Sequence, residues 1–130
     1  MDSRTQLAAA SRDGHLALRR VERQQALIER LHANRGERLR LEELASEHRV
    51  SVRTIARDVE RLRDGGIPLD VRRGRGGGVS LGPIGTPTSV ELDVPELAAL
   101  MSSLAVLGPT VSASAASAMR KLRESIDPPT

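Results

Sequence analysis

Residues 44–62 read LASEHRVSVRTIARDVERL, and the remainder of the chain becomes legible around them. Ser51 is a good helix N-cap, because its hydroxyl can satisfy a free backbone N–H of the first turn. Behind it Val52, Ile55, Val59 and Leu62 recur at spacings of three and four, the signature of one buried helical stripe. That assignment turns Arg53, Thr54, Arg57, Asp58 and Arg61 to the remaining faces. Upstream, 41–48 reads as a short helix with Leu41, Leu44 and Ala45 inward. Glu42 and Glu43 fall in its first turn, where the helix dipole favours negative charge. Only Arg49 and Val50 separate the two helices, so the connection is a tight turn and Val50 is expected to plug the gap. The second helix, 51–64, stops at Gly65-Gly66, and Pro68 cannot continue it.

Working outward, Leu69-Asp70-Val71 alternates, Gly74-Arg75-Gly76-Gly77-Gly78 follows, and Val79-Ser80-Leu81 alternates again. Two alternating runs joined by a glycine-rich connector predict a β-hairpin over 69–81, with Leu69, Val71, Val79 and Leu81 closing over the helices. On the other side, 19–33 predicts a helix: Val21, Leu27, Ile28 and Leu31 share a face, with Gln24 in the position where another apolar residue would stand. Asn34 and Gly36 stop it, and Arg38-Leu39-Arg40 is a candidate short strand. Residues 1–18, interrupted by Gly14, read as a mobile N-terminal arm, and 83–92 as a linker. Asp93 with Glu96 makes a capping box, Pro95 suits a first turn, and Gly108-Pro109 ends the helix. A second helix over about 112–125 completes a helical hairpin spanning 93–126, with 127–130 a tail. Leu97, Leu100, Met101, Leu104 and Leu107 stripe one helix, and Ala115, Ala118, Met119, Leu122 and Ile126 the other. The expected fold class is mainly α with a small β-hairpin: a winged helix–turn–helix followed by a helical hairpin.

Composition narrows the function. The 130 residues include no Phe, Trp, Tyr or Cys. The core must be aliphatic and thin, the base-stacking platforms of single-strand binders are missing, and thiol chemistry and Cys-based zinc sites are excluded. His15, His32 and His48 share no metal-ligand spacing, no run suits a membrane span, and the N-terminus does not read as a signal peptide. Net charge is +3, unevenly spread. Residues 1–40 hold nine Arg against five acids, 41–82 eight Arg against seven, and 83–130 three bases against five acids. Nineteen of the twenty bases are Arg. Arg suits phosphate and guanine, although a GC-rich codon bias explains most of the preference.

A DNA major groove accepts one helix whose outward side chains meet base edges and phosphates. The helix 51–64 has that layout, though an ordinary amphipathic helix with a solvated Arg face has it too. The basic hairpin immediately behind it tilts the reading to DNA, with Arg72, Arg73 and Arg75 as a wing against the backbone. A phosphate-cradling nucleotide loop is excluded by context, since such loops open a helix and this one opens a strand. Glu42, Glu43, Asp58, Glu60 and Asp64 lack a His or metal partner, so no catalytic residue, cofactor or metal is expected. Asp58, beside Arg57 and one turn from Arg61, is either a surface ion pair or a group that orients those guanidiniums.

The run LEELASEHRVSVRTIARDVERLRDGGIPLDVRRGRGGGVSL resembles the N-terminal winged helix–turn–helix of WYL-domain transcriptional regulators, which is similar to the DeoR-type domain. The pieces that match are "LA…VSVRTI.RDVE.LR..GIP" and the "GRGGG" hairpin, and ELDVPELAALMSSLAVLG looks like the helix that follows the linker in that family. The resemblance implies DNA contacts from Ser51, Arg53, Thr54, Arg57 and Arg61, with the wing at Arg72, Arg73 and Arg75. Ala56 and Val79 stand where the family often has Tyr, and Thr130 precedes the place of the ligand-sensing domain. The expected function is sequence-specific double-stranded DNA binding in transcription regulation, in the cytoplasm. Residues 93–126 either form a homodimer surface or pack on each other. The competing reading is a winged-helix protein-interaction adaptor that has lost DNA and ligand sensing.

Overall fold

The computed structural model describes residues 2–82, 89–108 and 111–127, with the backbone alone for 7–11. Its elements are α1 (Ser3–Ala33), α2 (Leu41–His48), α3 (Val52–Asp64), β1 (Leu69–Arg72), β2 (Gly78–Leu81), α4 (Val94–Leu107) and α5 (Ala113–Ile126). They fall into two units, Met1–Gly85 and Thr86–Thr130.

In the first unit, Leu27 and Leu31 of α1, Leu44 and Ala45 of α2, Ile55 and Val59 of α3, and Leu69, Val79 and Leu81 of the hairpin converge with Leu39 on one core. Leu41, Val50, Leu62, Ile67 and Val71 pack at its margin. The fold is a winged helix–turn–helix, mainly α with a small hairpin, as the pattern predicts. The turn between α2 and α3 is short because Arg49 takes the left-handed conformation (φ 56°). The Val50 N–H then donates back to the Ala45 carbonyl at 3.0 Å, and Val50 sits against the core. Ser51 caps α3, its Oγ accepting from the Thr54 N–H at 3.1 Å.

β1 and β2 are antiparallel, with Leu69 opposite Leu81 and Val71 opposite Val79. The strand expected at 38–40 contracts to one bridge, in which Leu39 and Val79 exchange N–H···O bonds of 2.8 Å each. β2 is therefore the middle of the sheet, and Gly78 marks the tightest approach. A Cβ built there would lie 2.2 Å from the Leu39 carbonyl oxygen, at φ +144°.

Two expectations are corrected. The N-terminal arm of 1–18 is helical from Ser3 onward: Asp2 caps α1 through the Arg4 N–H, and Gly14 is carried within the helix. A mid-helix glycine weakens a helix by only ~1 kcal/mol relative to Ala, which the Ala-rich surroundings absorb. Val52, assigned to the buried stripe, is 40% exposed, since the first residue of α3 lies beyond the edge of the core. Of the linker at 83–92, residues 83–88 lie outside the described residues, and 89–92 carry no helix or strand. Of the tail, 128–130 likewise lie outside.

In the second unit, Asp93 and Glu96 form the capping box of α4, with bonds of 2.9 and 3.0 Å. Ser112 caps α5 through the Ala115 N–H. Met119 is buried, but Val94, Leu100, Val106 and Ile126 remain exposed. An apolar groove of about 630 Å³ runs between Leu97, Leu100 and Leu104 on α4 and Ala118 and Leu122 on α5.

Gly78→Ala should lower the stability of the first unit by about 1–3 kcal/mol through backbone strain alone, with the Leu39 clash added to it. Urea unfolding followed by circular dichroism measures the loss, and an unchanged midpoint would show that the close approach does not matter.

Candidate nucleic-acid interface

At 100° per residue, the face of α3 opposite Ile55 and Val59 is formed by residues 53, 57, 60 and 61. Arg53, Arg57, Glu60 and Arg61 line a shallow surface groove there, with Ala56 at its floor. Ser51 is exposed at the N-terminal end of the helix, and Thr54 is half-buried beside it, the two hydroxyls 3.0 Å apart. This contact ties Thr54 into the cap and leaves Ser51 on the surface.

The wing stands against the other edge of the same helix. A cleft of about 810 Å³ is bounded by Arg40–Glu42 at the start of α2, by Ala56, Val59 and Glu60 on α3, and by residues 71–78 of the hairpin. Ala56 and Glu60 line both the groove and the cleft, so the two join in one strip. Arg72, Arg73 and Arg75 rim the wing side of the cleft, and all three are exposed.

The charges along this strip are not equivalent. Arg72 lies 3.6 Å from Asp70, which also meets Arg38 at 3.3 Å. Arg40 pairs with Glu42 at 3.7 Å, and Arg63 with Glu60 at 3.3 Å. Arg53, Arg57, Arg73 and Arg75 have no ion-pair or hydrogen-bond partner among the described residues. An anion meeting these four guanidiniums would displace water alone, with no internal ion pair to break.

Asp58 corrects the sequence reading most. The stripe spacing predicts an outward face for it, yet it is fully buried. Its Oδ2 accepts from Arg23 Nε of α1, and its Oδ1 accepts from Arg23 Nη2 at 3.1 Å and Gln24 Nε2 at 3.3 Å. The Arg23 guanidinium is held above its ordinary pKa, chiefly by the hydrogen bond to Asp58 and further by that group's charge, against the opposing effect of burial. A raised arginine stays charged throughout the neutral range. Sequence reasoning also missed Arg40, which reaches the cleft from the start of α2. The signal for Asp58 was present in Gln24, the polar break in the apolar stripe of α1.

Among the described residues, no group of three His, Cys, Asp or Glu could hold a metal ion, and no helix is long and apolar enough to cross a membrane. Residues 23–79 match a family model described as an HTH domain. The matched stretch runs from Arg23 of α1 to Val79 of β2, taking in the Arg23–Asp58 pair and the wing as far as the second residue of β2. The match likens this part of the chain to helix–turn–helix domains, in keeping with its fold, and suggests DNA binding and, through it, transcription regulation. Neither a curated protein nor a solved structure matches the chain.

Asp58→Ala should destabilise the first unit by about 3–5 kcal/mol, because it strands the Arg23 charge at a largely buried site. Glu47→Ala, which removes the exposed Arg30–Glu47 pair, should cost less than about 1 kcal/mol. Chemical denaturation of both variants checks the contrast, and equal losses would contradict it.

Proposed function

We propose that residues 19–82 bind double-stranded DNA sequence-specifically and regulate transcription. In this reading α3 enters the major groove and the wing, 69–81, rests on the backbone. The observation that carries it is the continuous strip from α3 to the hairpin tip, on which Arg53, Arg57, Arg73 and Arg75 stand uncompensated. A groove about 12 Å wide admits one helix. Arg53 and Arg57, one turn apart, meet base edges or the flanking phosphates. Arg72, Arg73 and Arg75 hold the neighbouring backbone, and Ser51 and Thr54 approach it at the N-terminus of α3. The likeness to WYL-type and DeoR-type regulators rests on the quoted motifs and fits this use. The role is binding rather than catalysis, exercised on DNA in the cytoplasm.

A single domain of this size offers limited contact, and two copies on paired half-sites would double it. We assign the dimer surface to residues 93–126, where Leu100 and Val106 are 46% and 86% exposed. Leu100→Glu should convert a dimer to a monomer in sedimentation velocity, and a wild-type monomer at high concentration would remove this part of the proposal.

Arg57→Ala should weaken binding to the preferred duplex by about 1–3 kcal/mol and relax the choice of base at one position. Arg73→Ala should weaken all duplexes alike and reduce the slope of log affinity against log salt by about 1. Fluorescence anisotropy with labelled duplexes over a salt series measures both. If the folded protein binds no duplex at low salt but captures a protein partner, the adaptor reading replaces this one.

A further inference from the structure

We infer that Asp58 is a positioning residue for Arg61: it presents the Arg61 guanidinium to DNA in a fixed orientation. This rests on the DNA-binding reading and adds to it a division of labour among the arginines of α3. Arg53 and Arg57 have no partner among the described residues, whereas Arg61 is drawn to a buried anion 3.8 Å away.

The pairing is unlike an ordinary ion pair one turn apart on a helix surface, where both partners are mobile and little is gained. Asp58 is fully buried, and its carboxylate cannot rotate away, because Arg23 and Gln24 of α1 hold both oxygens. Arg61 Nη1 lies 3.8 Å from Oδ1, and the Arg61 side chain is 48% exposed. The guanidinium therefore stands within ion-pair distance of a fixed anion, beyond hydrogen-bond reach of it, while half of the side chain faces solvent. Its five N–H donors stay open to a phosphate, because attraction rather than a hydrogen bond draws the group toward Asp58. The loss of rotamer freedom is taken on folding rather than on binding, which is the general advantage of preorganisation. Nor does Asp58 cancel the charge it directs. Arg23 and Arg61 together outweigh one carboxylate, so the cluster keeps a net positive charge toward an incoming anion.

The test is a double-mutant cycle read on DNA affinity. The probe is a duplex selected from a random-sequence library by the wild-type protein, and each variant is checked for folding by circular dichroism. Arg61→Ala should weaken binding about tenfold in the wild-type background, but no more than about twofold in the Asp58→Asn background, where the guide has lost its charge. Arg61→Lys keeps the charge and loses the planar fork, so it should bind nearly as weakly as Arg61→Ala. A purely structural role for Asp58 would leave the Arg61→Ala factor the same in both backgrounds, and that result overturns the inference. So does an Arg61→Lys protein that binds like wild type, a comparison that still decides the matter if Asp58→Asn fails to fold. If the library yields no bound duplex, the DNA reading falls and the inference with it. A duplex bound with no coupling between residues 58 and 61 overturns the inference alone.

Discussion

Arg23 and Asp58 are 35 residues apart in sequence, and their contact fixes the first unit. A carboxylate without access to water is unfavourable by several kcal/mol unless charge and hydrogen bonds compensate it. Here the compensation comes from one turn of α1, in Arg23 and Gln24, so Asp58 is satisfied in one setting of α3 against α1. Turning α3 by one residue would move Asp58 by about 100° and strand both charges. The aliphatic stripe of Ile55, Val59 and Leu62 tolerates small rotations, because apolar contact is non-directional. The ion pair does not. It thereby decides that Arg53, Arg57 and Glu60 point outward and that Ala56 faces the wing.

The wing depends on a second constraint of the same directional kind. β2 has a neighbour on each side, β1 and the single bridging residue Leu39. The backbone of Gly78 passes so close to Leu39 that no side chain fits between them. The hairpin is thus stapled to the segment that leads into α2, and the basic tip projects from a fixed base. Together the two constraints set one cleft, with the start of α2, α3 and the wing as its walls. Arginine is abundant along the whole first unit, so abundance does not single out a site. Selection comes from position on the strip between α3 and the wing and, there, from which guanidiniums find a carboxylate. Arg23, Arg30, Arg38, Arg40, Arg61, Arg63 and Arg72 do. The unpaired set on α3 and the wing tip is left to meet an external anion.

Much of this was legible in the sequence, because it rests on local rules. The Ser51 cap, the spacing of Ile55, Val59 and Leu62, the double glycine after Asp64 and the alternation about the glycine-rich tip each act within a few residues. Helix boundaries from α2 to β2 follow from them. What was not legible depends on distant partners. Asp58 reads as a surface acid until Arg23 and Gln24 are brought beside it, and Gln24 alone hints at a polar contact inside an apolar seam. Val52 has the right spacing for the stripe, yet the core ends one turn further along. Gly14 reads as a breaker where the surrounding Ala and Leu carry α1 through it. In the second unit the stripes of α4 and α5 were evident, but two helices do not cover both stripes, and Leu100 and Ile126 are left exposed.

The most direct measurement is an NMR titration of the backbone amides of the isotope-labelled protein with a selected duplex. The expected result is a contiguous set of shifted amides at residues 51–61 of α3 and 72–76 of the wing, with α4 and α5 unmoved on the DNA side of the equilibrium. Shifts confined to the apolar groove of α4 and α5, or none at all at low salt with the fold intact, would contradict DNA reading by α3 and the wing.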